Sequence, residues 1–511
     1  MVQHSTRRTV LGGIGVGIAS LAGCLSDDSP LDDGIETITV ARSEATQDGE
    51  WQPYGGVIPY YTNVFEPLVG TTREMEPAPM LATDWEREDE STWRFDLREG
   101  VTFHDGSAFT ADAVVSSFDA LIDHWDATGW INVATGGVTA VDDHAVEIET
   151  TEPFPALPGT ISHNYFGIIH PDTDQDAGIA LGTGPFQLAD RDGNDVTLEP
   201  YEDHWDDTPA TERLAFDIVD DGTTRTTALE SGEVDLAIDP PRSDVGRLED
   251  STETAVDTQR TPRTCFGGVN IYKEPTNDEV LRRALCYAVD QEQLVETVLE
   301  GVGDPARGPI SPEIPWAAHD DLPEMGPDRD RARELVAESS YDGETLTILI
   351  DGSEPDDRAV AEVLQNWFAE IDVESEIRSV ESAAFYETFT DGEAHVSIVA
   401  FGSNSAASDY LIRAVFHSEG SDNQQLYESE GTGIMNLGGE VDDLIEEGYF
   451  AESADRKADL YGEVQERVVE KGVVIPLYYL EYVLARRASL PAPELHPIDK
   501  LTDFTELERG E

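Results

Sequence analysis

Few residues in this chain have the types and spacing that catalysis or metal binding requires. Eleven histidines occur, but no two form an HxxxH pair, and the three cysteines form no CxxC pair. The hydrolase patterns GxSxG and HExxH are also missing from the sequence. We therefore expect a protein that is not an enzyme, with no catalytic residue, no metal site of its own and no cofactor.

Cys24 carries the clearest chemical signal, because the segment before it resembles an export signal with a lipid-attachment site. Arg7 and Arg8 precede an apolar, glycine-rich run that ends in Leu21-Ala22-Gly23-Cys24. The twin arginine predicts export by the twin-arginine route. A lipidated Cys24 would then anchor the chain to the outer face of the cytoplasmic membrane. An ordinary signal peptide with an incidental cysteine is the alternative.

The charge of the chain restricts its partners. Asp and Glu number 106 against 32 Lys and Arg, which gives a net charge of −74. Nucleic acid is disfavoured as a partner by the sign of this charge. At molar salt the Debye length is about 3 Å, so self-repulsion is screened, and the acidity is typical of a surface adapted to high salt, as in a halophilic archaeon. A site for cations or basic peptides is the alternative interpretation.

The pattern of residues 91–121 predicts a scaffold segment. Apolar and charged residues alternate from Trp93 to Leu97, which is the period of a half-buried strand. Asp105-Gly106 predicts a tight turn, and Thr110 begins an amphipathic helix. Strands and helices alternate through most of the remaining length, and this alternation favours an α/β fold in two or more lobes.

Several further elements are predicted from capping and periodicity. Thr276-Asn-Asp-Glu279 matches a capping box. Cys265 and Cys286 are expected to be two buried thiols, with a disulfide between them as the alternative. The other predictions are a helix or turn at residues 60–69, a turn and β-hairpin at 181–200, two helices between 276 and 301, a long helix at about 453–471, and a buried long strand or strand pair from Val473.

A series of segments spans nearly all of residues 36–490: FEPLV, PMLATDWE, WRFDLREGVTFHDGSAFTADAVVSSF, GTGPFQL, LEPYEDHW, TTALESGEVDLA, EVLRRALCYAVDQEQLV, PARGPISPEIPW and EVDDLIEEGYFAESADRKADLYGEVQERVVEKGVVIPLYY. In these segments and their order the chain resembles the extracytoplasmic solute-binding proteins of ABC importers, family 5, the peptide- and nickel-binding type of cluster C. One such segment alone would be a weak signal, and the ordered series is a strong one.

The resemblance implies a fold like that of type II periplasmic binding proteins, with two clamping lobes, a strand hinge and an extra inserted domain. The implied organisation is an export signal at 1–23, a tether at 24–35, the first lobe at 36–70 and 185–265, an inserted second lobe at 71–184, a third lobe at 266–489, and a return to the first lobe at 490–511.

The resemblance also implies a ligand loop within residues 396–416. In peptide-binding relatives this loop carries an aromatic residue and then an aspartate that pairs with the peptide ammonium. Phe401 stands where the aromatic is expected, and Asn404 stands where the aspartate is expected. An amide accepts a hydrogen bond from an ammonium but does not neutralise it. Ser403 is a further candidate ligand contact, and Asp409 is either a substitute carboxylate or a helix N-cap.

Aromatic residues before the first matching segment are further candidates. Trp51 and Tyr54, with Tyr60 beyond them, lie where relatives present an aromatic to the cleft, and core packing is the alternative. Trp316 lies in a proline-rich loop and is a further candidate to face the cleft. Arg413 is either a carboxylate ligand or a solvated helix residue.

These observations lead to one expected function and several alternatives. We expect a monomeric receptor that captures di- or oligopeptides and delivers them to a membrane permease with its ATPase subunits. A receptor of the same fold for oligosaccharides or a nickel chelate is the nearest alternative. A secreted hydrolase would need catalytic motifs that the sequence lacks. A structural envelope lipoprotein would show no closure around any solute.

Overall fold

The alternation of strands and helices in the sequence is present in the computed structural model, which describes residues 36–43, 64–124, 132–173, 180–192, 195–354, 356–420, 435–451 and 453–508. The strands in these residues are β1 (Ile38–Arg42), β2 (Val69–Thr71), β3 (Pro77–Pro79), β4 (Ala82–Arg87), β5 (Thr92–Leu97), β6 (Val133–Asp142), β7 (Ala145–Thr150), β8 (Phe186–Asp192), β9 (Asp195–Pro200), β10 (Leu214–Ile218), β11 (Leu236–Ile238), β12 (Thr254–Val269), β13 (Asp304–Pro305), β14 (Leu346–Asp351), β15 (Ser375–Val380), β16 (Val396–Gly402) and β17 (Val474–Arg487).

The α-helices of the described residues alternate with these strands along the chain. They are α1 (Ala111–His124), α2 (Leu157–Thr160), α3 (Gly222–Ser231), α4 (Arg242–Glu249), α5 (Glu279–Ala288), α6 (Gln291–Thr297), α7 (Arg329–Glu338), α8 (Asp357–Glu370), α9 (Ser382–Thr390), α10 (Asp409–Phe416), α11 (Gly439–Tyr449) and α12 (Ala454–Glu470), with 3₁₀ turns at Asn164–Phe166, His319–Asp321 and Asp499–Leu501. None of the helices in this part of the chain is both long and apolar enough to cross a membrane.

One sheet of eleven strands carries the architecture, in the order β15-β14-β16-β12-β17-β11-β1-β10-β9-β8, with β13 beside β17. We call the part with β1 and β8–β11 the first lobe and the part with β14–β16 the third lobe. In the first lobe β1 runs parallel to β10 and β11. In the third lobe β14 runs parallel to β15 and β16. The two lobes are therefore halves of a single sheet.

Two long antiparallel strands, β12 and β17, join the halves. Residues 254–260 of β12 pair with 481–487 of β17 beside the first lobe, and residues 264–268 pair with 474–479 beside the third. Between these two ladders, residues 261–263 lie opposite the single residue Leu480. Such a bulge bends a strand, and Pro262 within it has no N–H to give to the ladder. The regular pairing is thus interrupted at the boundary between the lobes.

A separate four-stranded antiparallel sheet, β4-β5-β7-β6, forms the second lobe together with α1. The strand and helix predicted in residues 91–121 are confirmed as β5 and α1, and Gly106 adopts φ +82° in the predicted turn. Phe95, Phe103 and Phe118 are fully buried in this lobe's own core. The predicted lobe boundaries remain predictions.

The chain returns to the first lobe near its C-terminal end. Leu490, Leu495, Phe504 and Leu507 pack in the same core as β1 and β10. The Thr211 hydroxyl holds this segment in place, because it bonds the Phe504 carbonyl oxygen at 2.6 Å and accepts from the Leu507 amide at 3.0 Å.

Most of the predicted elements are confirmed, and one capping assignment is wrong. The hairpin β8–β9, the helices α5, α6 and α12 and the single long strand β17 lie where the sequence predicts them. The cap of α5, however, is Asp278, whose carboxylate accepts from the Val280 amide at 2.8 Å. The Thr276 hydroxyl instead donates to the Asn270 carbonyl. Residues 64–68 of the predicted segment 60–69 are not helical.

The two described cysteines are buried free thiols, as predicted. Cys265 and Cys286 are each about 1% exposed. Burial raises the pKa of the Cys286 thiol to about 12, so both groups stay protonated at ordinary pH.

Tyr449 gives the first test of this packing. It is the last residue of α11 and is 4% exposed within the core of the second lobe, near Phe154, and its hydroxyl has no hydrogen-bond partner in the described residues. We expect Tyr449→Ala to lower the free energy of unfolding by about 3 kcal/mol. Tyr449→Phe should leave it unchanged or raise it by up to about 1 kcal/mol.

Urea unfolding at molar salt measures these differences, and Phe450→Ala is the control. Phe450 adjoins Tyr449 but is 48% exposed, so we expect a small loss. A loss in Tyr449→Phe as large as that in Tyr449→Ala would show that the hydroxyl, and not the buried ring, stabilises the contact.

Candidate functional site

A cavity of about 1000 Å³ lies between the first and third lobes, along the strands that join them. The first lobe contributes Arg42, Asp220, Asp239, Arg242 and Lys500. The joining strands contribute Arg263, Tyr478 and Glu481, and the third lobe contributes Asp351, Glu354, Asp356, Asp357, Phe385 and Phe401. Its size is within the range of sites that enclose small solutes.

The sheet topology explains why these residues face one another. The carboxyl ends of the parallel strands β1, β10 and β11 lie at one edge of the first lobe, and Arg42 and Asp239 are at those ends. The carboxyl ends of β14 and β16, with Asp351 and Phe401, lie at the facing edge of the third lobe. Ligands of open α/β sheets bind in the crevice outside such strand ends.

Arg225 fixes the first-lobe wall of the cavity. Its guanidinium donates to four backbone carbonyl oxygens, those of Val219 (2.7 Å), Asp220 (3.0 Å), Ile238 (3.0 Å) and Asp239 (2.7 Å). These bonds tie the loop after β10 to the loop after β11. Asp239 sits at φ +48°, an uncommon conformation for a residue other than glycine, and its carbonyl accepts one of the four bonds. Arg225 is therefore a positioning residue.

One ion pair crosses the cavity. Arg242 at the start of α4 in the first lobe donates from Nε to Asp356 Oδ2 at 2.9 Å, just before α8 in the third lobe. The same guanidinium donates to the Val302 carbonyl at 2.8 Å. Both charged side chains are partly shielded, at 21% and 30% exposed. The lobes are thus joined directly across the cleft as well as through the strands.

Acidic residues of the segments 351–354 and 356–357, which we together call the acidic loop, line the third-lobe wall. These residues are Asp351, Glu354, Asp356 and Asp357. Burial raises the pKa of Asp357 to about 7, and the neighbouring carboxylates act in the same direction. Asp357 also accepts a hydrogen bond from the Asp351 amide at 3.3 Å. Asp357 is therefore partly protonated near neutral pH. At Asp351 burial is outweighed by hydrogen bonds from Ser382 and Ser353, which lower the pKa of this carboxyl and keep it charged.

Of the candidates in the predicted ligand loop, Phe401 lines the cavity. Its ring is stacked near Phe266, with centroids 6.1 Å apart. The Ser403 side chain is buried and donates to the Ser405 carbonyl at 2.8 Å. Asn404 is half-buried, lies outside the cavity lining and forms no hydrogen bond with the described residues.

Asp409 lies inside the third lobe and has partners there. It is 7% exposed, and one carboxylate oxygen accepts from Lys457 Nζ at 2.6 Å and from the Tyr461 hydroxyl at 2.8 Å. Ser408, and not Asp409, occupies the N-cap position of α10, with no side-chain capping bond. The carboxylate is therefore engaged within the lobe.

The remaining candidates are placed as follows. Trp316 is buried, and its Nε1 donates to Ser408 Oγ at 3.2 Å. Arg413 pairs with Glu446 at 3.0 Å and lies over the Tyr449 ring. Trp51, Tyr54, Tyr60 and Cys24 lie outside the described residues.

Sequence reasoning missed the acidic loop, Arg225, Arg242 and Arg263. The loop had one available signal: DGSEPDD directly follows the apolar, β-branched run LTILI, and carboxyl ends of parallel strands meet at one edge. Among 106 acidic residues, however, a short acidic run is not distinctive. In the described residues no group of three or more His, Cys, Asp or Glu side chains is placed to hold a metal ion.

Comparison with known proteins decides the family. Residues 76–423 match the family described as bacterial extracellular solute-binding proteins, family 5 Middle. The chain belongs to this family. It is therefore a solute-binding receptor of the ABC importer class, and its fold is the mixed α/β fold of the type II periplasmic binding proteins.

Individual relatives of this solute-binding protein carry different ligand names. The chain is 27% identical over 455 residues to Heme-binding protein A of Haemophilus influenzae, which covers 82% of this chain and 81% of that protein. It is 25% identical to the Dipeptide-binding protein of Escherichia coli, over 80% of this chain and 81% of that protein. Among solved structures, NikA from Brucella suis in complex with Fe(III)-EDTA matches with a TM-score of 0.80 at 20% identity, covering 93% of this chain and 100% of that chain.

The pair Arg242–Asp356 gives a test of how this receptor's lobes are held together. We expect Arg242→Ala to shift the unliganded protein toward more open forms by about 0.5–1 kcal/mol, since partly exposed pairs contribute in that range. Small-angle scattering at molar salt should then give a larger radius of gyration than for the unmodified protein.

Arg331→Ala is the matched control, because it removes an exposed pair with Glu334 within one helix. An unchanged radius of gyration in Arg242→Ala, or an equal increase in the control, would contradict a role for the pair in holding the cleft closed.

Proposed function

We propose that this receptor captures di- or oligopeptides with free termini and delivers them to a membrane permease and its ATPase subunits. The observation that carries the proposal is the mixed charge of the cavity wall. The acidic loop lies on one side, and two cations, Arg263 and Lys500, line the same cavity without a hydrogen bond or ion pair to any described residue. A peptide carries one ammonium and one carboxylate, which such a wall complements.

The acidic loop provides a place for the ammonium that does not depend on Asn404. Asn404 is outside the cavity lining, and Asp409 is bound to Lys457 and Tyr461. Glu354 and Asp351, in contrast, line the cavity directly, and Asp351 also accepts from the Ser353 amide and the Ser382 hydroxyl. A carboxylate within hydrogen-bond distance of an ammonium forms a charge-assisted bond, which is about twice as strong as a neutral one.

Two other ligand classes remain as alternatives within the same fold. An oligosaccharide would use Phe401 for stacking and would not need the charges of the wall. A nickel chelate would use the unpaired cations to hold an anionic chelator, since the described residues offer no metal-binding cluster. Both are distinguished from a peptide by whether a free ammonium and a free carboxylate matter.

Binding measurements at molar salt test the proposal. The purified protein is screened by thermal shift against di- to hexapeptides, cello- and xylo-oligosaccharides, and nickel with small chelators. Peptides at about 100 times their Kd should stabilise the folded state by about 2.7 kcal/mol. N-acetylated and C-amidated forms of the same peptides are the controls, and they should give much smaller shifts. Stabilisation by sugars or chelates alone would refute the peptide assignment and keep the receptor role.

We further propose that the receptor acts as a monomer on the outer face of the cytoplasmic membrane, held by lipid on Cys24 after twin-arginine export. The order of Arg7-Arg8, the apolar run and Leu21-Ala22-Gly23-Cys24 supports this proposal. Stable membrane anchoring requires strong hydrophobic attachment, which lipid chains provide at about 0.8 kcal/mol per buried CH₂.

Substitution of the cysteine tests the anchor. In cells that produce Cys24→Ala, we expect the protein to move from the membrane fraction to the medium, with its ligand binding unchanged. Lysine in place of Arg7 and Arg8 should instead retain the protein inside the cell. A Cys24→Ala protein that stays in the membrane fraction would exclude lipid on this residue as the anchor.

A further inference from the structure

Arg263 lies where the two lobes meet. It is the last residue of the bulge at 261–263, directly after Pro262, and its side chain is exposed in the cavity. On one side of it β12 pairs with β17, and on the other side it stands opposite Gly402 at the end of β16. Its position on β12, one of the two joining strands, makes it part of the floor of the cleft.

The guanidinium of Arg263 differs in its contacts from those of Arg225 and Arg242, which also line the cavity. Arg225 is occupied by four backbone carbonyls, and Arg242 by Asp356 and Val302. The Arg263 guanidinium has no hydrogen bond or ion pair with the described residues, although the chain has 106 acidic residues against 32 basic ones. All five of its N–H donors therefore remain available to an anion.

Gly402 provides the space in which the arginine stem lies. A Cβ at position 402 would lie 2.8 Å from Arg263 Cβ and 3.0 Å from Arg263 Cα, and it would collide with Arg263 Cγ. Gly402 does not have a positive φ, so its backbone conformation does not require glycine. The missing side chain matters because it lets Arg263 lie across the end of β16, beside Phe401.

We propose that Arg263 is the specificity-determining residue that binds the ligand's carboxylate, and that Gly402 positions it. A planar guanidinium holds a carboxylate through two parallel N–H···O bonds, a geometry that lysine does not provide. Phe401, adjacent to Gly402, then packs against the C-terminal residue of the bound peptide. This inference rests on the proposed function, because it takes the ligand to be a peptide with a free C-terminus.

The sheet order also bears on the length of the peptide. The acidic loop follows β14, and Arg263 lies on β12, with β16 between them. Strands in a sheet are about 4.8 Å apart, so two steps span roughly 10 Å. An extended chain covers about 3.3–3.6 Å per residue, so this separation corresponds to about three residues. We therefore expect di- and tripeptides to bind more tightly than hexapeptides.

The test compares each peptide as a free acid and as a C-terminal amide. Di- and tripeptides of mixed sequence are titrated calorimetrically into the full-length protein and its Arg263→Gln, Arg263→Lys and Gly402→Ala variants at molar salt. For the unmodified protein we expect the acid to bind about 10- to 100-fold more tightly than the amide, as hydrogen bonds to charged groups contribute in that range. Arg263→Gln should remove this preference, Arg263→Lys should retain part of it, and Gly402→Ala should reduce it by displacing the arginine.

Each result separates this inference from the proposed function. If the protein binds peptides and Arg263→Gln keeps the full acid preference, Arg263 is not the carboxylate ligand, although the receptor still binds peptides. If Lys500→Gln loses the preference for the free acid and Arg263→Gln keeps it, the carboxylate is bound by Lys500 instead. If the unmodified protein binds no peptide, both the proposed function and the role of Arg263 are wrong. Arg331→Gln controls for the loss of one positive charge at an exposed site outside the cavity lining.

Discussion

The pairing of β12 with β17 on both sides of the lobe boundary is the constraint on which the rest of the structure depends. Both strands pass from the first lobe to the third, so neither lobe can move without bending this ladder. The ladder is interrupted where residues 261–263 lie opposite Leu480, and a bulge is the place where a paired strand bends most readily. Hinge motion is normally absorbed by a few such residues. We therefore expect the cleft residues on either side to keep their places within each lobe while the distance between the lobes changes.

Although the chain is strongly acidic, two of its buried arginines bond to neutral backbone carbonyls. Arg225 and Arg282 are both buried, and both donate to backbone carbonyls: Arg225 to the loops after β10 and β11, Arg282 to Thr276, Asn277 and Lys471. Bonds to neutral carbonyls fix loops without requiring a buried carboxylate, and they lose less strength in concentrated salt than exposed ion pairs do. Arginine thus orders loops inside the molecule, whereas acidic side chains cover the surface and one wall of the cavity.

The sequence predicts local elements well and long-range contacts poorly, and particular residues show why. The strand and helix of residues 91–121, the hairpin at 186–200 and the helix α12 follow from periodicity and turn residues within short windows. The cap of α5 is Asp278 and not Thr276, because Asn270, six residues earlier, accepts the threonine hydroxyl. The availability of Asp409 depends on Lys457 and Tyr461, about fifty residues away. Likewise, the free space around Arg263 depends on Gly402, which only strand pairing brings beside it.

The second lobe contacts the third lobe directly. The Ala406 amide, within the predicted ligand loop at 396–416, donates to Ser162 Oγ of the second lobe at 3.0 Å, and a Cβ on Gly159 would lie 2.7 Å from the Ala407 nitrogen. Tyr449 of α11 is buried in the second lobe's core. If the third lobe moves away from the first, these contacts must be broken or carried along. Where the second lobe stays with the first, the free energy of opening the cleft includes the separation of the third lobe from the second, in addition to the bending of the hinge strands and the loss of the pair Arg242–Asp356.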